Sequence, residues 1–347
     1  MTKSLFPEKL LQWNASLNTR SMPWKGEKDP YRIWLSEIIL QQTRVEQGLD
    51  YYNKFILTYP TIRDLALAPD EQVFKLWEGL GYYSRCLNLL HTARHIHFNL
   101  DGNFPNTYEG LLKLKGIGEY TASAIGSFAF NLPLAVVDGN VHRVISRYFG
   151  ISTPIDSPEG KKLYRMMADA LLDRSVPAAY NQAIMDFGAV ICKPKLPLCA
   201  SCPMAGECEA FLHNMVAQLP VKEKKLVRKS RWLNYFFIEH DNKVLIRKRT
   251  SKDIWKNLHE LVLVESEQEL HEPGFVLEEM IGKNFRLMHQ PVHYTQQLTH
   301  QVIHGKFFHV ETLSPVSLSG YTPVPLSEVE HVAFPRIINQ YLQKEAG

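Results

Sequence analysis

The sequence predicts a two-domain protein, an all-α first domain followed by a smaller α/β domain. Three observations carry that prediction. Glycine hairpins separate helical runs in the first part of the chain; four of the five cysteines crowd into residues 192–208; and after a basic stretch the pattern changes to that of strands. At 347 residues the chain is long enough for each domain to bury its own core. The expected boundaries are a helical domain over 1–220, a linker over 221–232 and the second domain over 233–347.

Residues 3–17 space Leu5, Leu10, Leu11, Trp13 and Leu17 along one face of a first helix. Met22-Pro23-Trp24-Lys25-Gly26 reads as a loop. Asp29-Pro30 then opens a helix from Tyr31 to Gly48, with proline at its first turn. On that helix Glu37 is flanked by Ile33 and Trp34 one turn earlier and by Leu40 and Gln41 one turn later. A carboxylate on so apolar a stripe is costly to bury unpaired, and burial would raise its pKa toward the protonated acid. Periodicity alone fits equally a glutamate at the helix edge. Short helices follow over 52–59, 61–66 and 71–77. A hairpin, Trp77-Glu78-Gly79-Leu80-Gly81-Tyr82-Tyr83, leads into a helix over 84–99 with a lone core thiol, Cys86. Its two tyrosines are either packing residues or an exposed aromatic able to wedge into a base stack.

Leu114-Lys115-Gly116-Ile117-Gly118-Glu119-Tyr120 is a tight hairpin between two helical runs, because glycine tolerates positive φ and close backbone approach. The amides around Gly116 and Gly118 lie at the start of a helix over 120–130, a natural seat for a phosphate. Taken alone, the stretch reads first as an ordinary corner between helices. Asp138 precedes a helix carrying Val141, Val144, Ile145 and Tyr148. Its simplest role is an N-cap, and the amide hydrogen bonds of a cap would also hold it ionised. Two more helices span 158–173 and 177–191, the second bearing Gln182, Met185 and Asp186.

Then comes Cys192-x6-Cys199-x2-Cys202-x5-Cys208. Four thiolates so close must converge on one centre, either tetrahedral zinc, which spacing alone favours, or an iron–sulfur cube. From Ala217 onward Lys222, Lys224, Lys225, Arg228, Lys229 and Arg231 surround a single Glu223, the basic linker. Strands are expected over 232–239, 243–248 and 261–265, with a strand pair over 297–310. His289, His293, His300, His304 and His309 have no acid or cysteine company at ligand spacing, so they read as solvated or strand-edge histidines rather than a metal site.

Composition is that of a soluble globular protein, with 45% hydrophobic and 22% charged residues. No 18-residue apolar run is present, which excludes a transmembrane helix. The N-terminal residues lack the apolar core of a signal peptide, so a cytoplasmic protein is expected, and clustered cysteines there read as a metal or cluster site rather than disulfides. A net charge of +3 is too mild to argue for nucleic acid by itself.

The hairpin at 114–120 together with Val137-Asp138-Gly139-Asn140 resembles the helix-hairpin-helix superfamily of base-excision DNA glycosylases. Adding Leu35-Ser36-Glu37-Ile38-Ile39-Leu40-Gln41-Gln42-Thr43 with Val45, Gly79-Leu80-Gly81-Tyr82-Tyr83 and the four-cysteine loop, essentially the whole chain resembles the adenine DNA glycosylase (MutY) family. The resemblance implies excision of adenine mispaired with 8-oxoguanine or guanine in double-stranded DNA, and a [4Fe–4S] cluster on Cys192, Cys199, Cys202 and Cys208. It makes Glu37 the acid that protonates adenine, and Asp138 the carboxylate that stabilises the sugar oxocarbenium ion through a transient covalent adduct. Tyr120 and Asn140 match residues that steer this pair. Trp24, Leu40, Val45, Gln182 and Met185 match the adenine pocket; Gln42, Thr43, Leu80 and Tyr82 match positions facing the lesion strand, Tyr82 as the wedge. Residues 233–347 resemble a Nudix-like recognition domain, with Leu298-Thr299-His300 where the family carries Phe-Ser-His. No Nudix catalytic box is present, so nucleotide pyrophosphatase activity is not expected.

The residues themselves support the same division of labour. Two carboxylates in opposed environments form the acid–anion pair of glycosidic cleavage, and a base inside a duplex must first be flipped out. Lyase relatives carry a lysine at position 120; Tyr120 cannot form a Schiff base, so a monofunctional enzyme is expected. A monomer is expected, with other repair or replication proteins as candidate partners. The rival readings are a thymine- or uracil-mismatch glycosylase of the same superfamily, a non-catalytic DNA-binding module, and a zinc-stabilised regulator.

Overall fold

The computed structural model describes residues 5–223 and 227–345. Lys224 and Lys225 of the basic linker, and the first four residues of the N-terminus, lie outside the described residues. The chain divides into two compact units, Met1–Ala66 with Asn88–Lys225, and Leu67–Leu87 with Leu226–Gly347.

Helices build the first unit, and their starts follow local chemistry. Asp29 accepts a hydrogen bond from the Tyr31 amide at 2.9 Å and Pro30 supplies the first helical position of Pro30–Leu40. Thr107 and Ser157 cap Tyr108–Leu112 and Pro158–Leu171 in the same way. The single helix expected over 31–48 is broken. It ends at Leu40, Gln42 adopts a left-handed conformation (φ 56°), and a second helix, Val45–Thr58, doubles back. Gly48 is the reason the return is so close: a β-carbon there would stand 2.7 Å from the Leu40 side chain. Small residues let Glu119–Phe130 pack on Pro30–Leu40, with Ala122, Ala124 and Gly126 buried. A separate core joins Phe6, Leu10 and Trp13 of the first helix to Val144 and Ile145 of Gly139–Tyr148 and to Phe187 of Pro177–Val190. Buried Asn181 pins the connection that ends at Asp138. Its Oδ1 accepts from the Val136 amide at 3.0 Å, and its Nδ2 donates to Ser127 Oγ and the Leu134 carbonyl, both at 2.8 Å.

The second unit is a mixed sheet with helices. Its central strand, Lys229–His240, lies parallel to Gln301–Thr312 on one side and antiparallel to His259–Ser266 on the other. Lys243–Lys248 and Thr322–Pro325 extend one edge; Phe285–Leu287 and Val292–Gln297 both pair with Gln301–Thr312 at the other. The central strand is buried continuously from Leu233 to Ile238 because both faces are covered. Phe236, Ile238, Phe308 and Val310 pack on Leu277 of helix Gly274–Ile281. On the opposite face Tyr235, Phe307 and Tyr341 stack in series, with centroids 5.1 and 4.7 Å apart. The expected strand pair over 297–310 is Val292–Gln297 and Gln301–Thr312, joined through Leu298-Thr299-His300.

Residues 67–87 are held in this unit by hydrogen bonds. Lys75 Nζ donates to the Val332 carbonyl at 3.1 Å, the Phe334 amide to Glu78 Oε1 at 2.9 Å, and Lys248 Nζ to Glu71 Oε1 at 3.0 Å. Three of the clustered histidines find ordinary partners: His304 stacks on Trp232, and His309 and His293 lie 3.1 and 3.4 Å from Glu239 and Glu269. Among the described residues no helix is long and apolar enough to cross a membrane.

Candidate active site

A cleft of about 910 Å³ opens in the first unit, and Glu37, Tyr120 and Asp138 line it together. Glu37 arrives from the middle of Pro30–Leu40 and is only 8% exposed, which decides between the two positions that periodicity allows. Burial pushes its pKa up to about 7; the Asp138 charge adds to the rise, and a hydrogen bond from the Tyr120 hydroxyl opposes it. Tyr120 sits in the first turn of Glu119–Phe130. Burial, first of all, holds its phenol well above the ordinary value, so it acts toward Glu37 as a donor.

Asp138 caps Gly139–Tyr148. Its Oδ1 accepts from the Val141 amide at 2.8 Å and its Oδ2 from Asn140 Nδ2 at 2.7 Å. The net direction corrects the expectation that capping governs its charge: burial outweighs these hydrogen bonds and raises the carboxyl above the usual aspartate value. Asn140 is held in turn, since its Oδ1 accepts from Arg143 Nη2 at 2.7 Å. The same guanidinium donates to the Gly188 and Cys192 carbonyls, both at 2.6 Å. The pair therefore differs in its donors. Asp138 has three, the Val141 and Asn140 amides and the Asn140 side chain, with the Arg143 cation nearby, whereas Glu37 has one phenol.

The other residues expected in the base pocket share the cleft: Trp24, Leu40, Val45, Gln182 and Met185 line it, with Gln42 and Thr43 from the break between helices. Trp24 is propped edge-on by Tyr52 at 5.3 Å. Leu80, Tyr82, Thr299 and His300 belong to the second unit. There Leu80 is 5% exposed and packs in the core, while Tyr82 is 41% exposed with φ 48°. Tyr83, by contrast, is buried, so only the first of the two hairpin tyrosines is presented. The Tyr82 and Thr299 hydroxyls hydrogen-bond to each other, and His300 is exposed. Sequence reasoning missed Arg20, Lys25 and His142, which also line the cleft. The basic residues of the 20–25 loop were a signal, but nothing local says which way a loop faces.

In the hairpin, Gly116 meets both demands on a glycine: its φ is 80° and a β-carbon would stand 2.7 Å from Asn88 Cβ. Gly118 meets neither. Its φ is −93° and a β-carbon there would have nothing within 4 Å; it is simply the N-cap of Glu119–Phe130.

Cys192, Cys199, Cys202 and Cys208 line one apolar pocket with Val144, Tyr148 and Phe187. Burial pushes the Cys202 thiol up to about 11, and the charges of the other three cysteines add to the rise. Burial also raises the Cys199 and Cys208 thiols, with the charge of Cys192 adding to each rise. Such a donor set calls for a positively charged group, and Arg147 Nη1 already stands 3.5 Å from Cys192 Sγ. Among the described residues no three His, Cys, Asp or Glu side chains gather closely enough for a single metal ion.

Comparison with known proteins gives consistent results. The HhH-GPD superfamily base excision DNA repair protein family matches residues 35–166, and the NUDIX domain family matches residues 234–344. An adenine DNA glycosylase of Buchnera aphidicola subsp. Baizongia pistaciae (strain Bp) is 36% identical over 260 residues, 74% of this chain and 73% of that protein. An adenine DNA glycosylase of Homo sapiens is 40% identical over 214 residues, 59% of this chain and 39% of that protein. Among solved structures, a thermostable thymine-DNA glycosylase is similar with a TM-score of 0.56 at 30% identity, covering 61% of this chain and 97% of that one.

Proposed function

The chain belongs to the adenine DNA glycosylase family and is a DNA glycosylase of base-excision repair, and from that premise we propose that it removes adenine mispaired with 8-oxoguanine or guanine. The observation that carries the reading is the pair of carboxylates in one cleft, one with its pKa near 7 and the other held by three hydrogen-bond donors.

The chemistry follows from their environments. The flipped adenine enters between Trp24, Leu40, Val45 and Met185, and Glu37 passes its proton to a ring nitrogen of the base. The C1′–N9 bond then breaks with its electron pair leaving on adenine as a neutral base. Asp138 faces the oxocarbenium ion left on the sugar and stabilises it by its negative charge or as a transient ester. Water adds at C1′, its proton returns to a carboxylate, and the products are adenine and an abasic site. Tyr120 and Asn140 orient Glu37 and Asp138. With no amine at position 120, strand cleavage does not follow base loss. The hairpin amides at Gly116 and Gly118 seat a backbone phosphate. Tyr82 is the wedge, with Thr299, hydrogen-bonded to it, and His300 as lesion-reading groups, while Leu80, buried in the core of that unit, supports the hairpin rather than touching the lesion. Gln42 and Thr43, at the break between helices, are further candidates for contact with the opposing base.

The four cysteines fit a [4Fe–4S] cluster, which when bound would knit their loop together and leave no open coordination position for substrate. The test is adenine release from an A·8-oxoG duplex. Release expected there and absent from T·G and U·G duplexes supports the reading; release of thymine alone would replace it with the mismatch glycosylase reading.

A further inference from the structure

Asp186 projects from Pro177–Val190 with its side chain sealed from solvent, and four donors converge on its two oxygens. Oδ1 accepts from Arg20 Nη1 at 2.8 Å and from Gln182 Nε2 at 3.0 Å. Oδ2 accepts from Asn18 Nδ2 at 2.8 Å and from Lys25 Nζ at 2.9 Å. Three of these donors come from the loop that carries Trp24; the fourth lies one turn earlier on the same helix and lines the cleft.

A carboxylate only accepts hydrogen bonds, whereas a glutamine amide has a donor edge and an acceptor edge that exchange on a half-turn. An amide bonded to Asp186 must give it the NH₂ edge. That leaves Oε1 as the edge free to meet a base in the cleft that Gln182 lines. We propose that Asp186 is a positioning residue for base selection: it locks the Gln182 amide in one of its two orientations, so that an acceptor meets the base. A purine with an amino group at position 6 satisfies that acceptor; one with a carbonyl there does not. An amide free to turn would serve both and choose neither. This inference rests on the cleft being the adenine pocket.

The experiment measures single-turnover excision of adenine, hypoxanthine and unsubstituted purine, each opposite 8-oxoguanine. In Asp186→Asn the new amide can donate to Gln182 Oε1 and let Gln182 turn. The adenine-to-hypoxanthine rate ratio should then fall about tenfold, the value of one placed hydrogen bond, while purine excision falls less than adenine excision. The double variant Asp186→Asn, Gln182→Glu restores a group with oxygens on both edges and keeps the negative charge beside Arg20 and Lys25. Its ratio should return to within about threefold of the wild type. Equal losses on all three bases would reduce Asp186 to a clamp on the loop and overturn the inference, as would an unchanged ratio in the single variant. Should that variant not fold, side-chain amide exchange in the unsubstituted protein decides: Gln182 Nε2 protons exchanging as fast as those of exposed glutamines would overturn it. A wild-type protein that releases no adenine would instead remove the functional reading, and this inference with it.

Discussion

At the scale of single residues, the protein keeps an acid in a place that is bad for its stability. Glu37→Gln preserves shape but has no proton to give, so single-turnover adenine release should fall at least ~100-fold while duplex binding persists. The wild-type rate should decline as pH rises through about 7, because the reactive form of Glu37 is the protonated one. On the acid side it should decline as Asp138 loses its charge, at a higher pH than an ordinary aspartate would give, since its pKa is raised. The same shift acts on folding. A carboxyl whose pKa rises from 4.5 to about 7 binds more protons in the folded state. Its contribution is thus fully present below 4.5 and is lost as pH rises through about 7. Glu37→Gln should therefore be more stable than the wild type at pH 8, by up to about 3 kcal/mol, with no such gain at pH 4. Denaturant melts at the two pH values check this, and equal effects at both would reject it.

At the scale of elements, the hairpin glycines separate geometry from chemistry. Gly116→Ala meets positive φ and the Asn88 side chain at once and should cost about 1–3 kcal/mol of stability, read from the melting temperature. Gly118→Ala has an allowed φ and open space, so it should melt normally. The sequence signal, Gly-x-Gly, does not distinguish the two. Local signals located the start of Pro30–Leu40 and the Asp138 cap, because those rest on neighbours in the chain. The break at Gln41–Arg44 was not legible: no proline or glycine marks it, and the close return it allows depends on contact between Gly48 and Leu40 across the turn. Asp186 was visible as one more acid on a helix, but its partners lie 166 and 168 residues away and only folding brings them to it. The four cysteines need no such help. Their loop should carry roughly four irons and a broad absorbance near ~400 nm, and colourless protein with one zinc per chain would contradict the cluster.

At the scale of the whole molecule, the second unit takes in residues 67–87 as well as the C-terminal part of the chain. Deleting 233–347 removes the partners of Lys75, Glu78 and Tyr82 along with Thr299 and His300, so a truncated protein confounds lesion reading with a damaged hairpin. The Thr299→Ala, His300→Ala double variant is the sharper probe. It should lose most of the preference for A·8-oxoG over A·G, about 5- to 150-fold, with little change in saturated rate. An unaltered preference would move lesion reading to Gln42 and Thr43.

The hydrogen bond between Lys75 and the Val332 carbonyl joins residues 257 apart. On a ribosome adding about 5–20 residues per second, the first partner waits about 13–50 s for the second. Phe74, Trp77 and Leu80, all buried in the finished protein, spend that interval without the strands and loops that later accompany them. Nascent chains arrested before residue 330 should accordingly be cut by protease within 67–87, and chains released at full length should resist. The order of synthesis, which bears on nothing in the chemistry of the cleft, thus sets a period of vulnerability in the life of each new molecule.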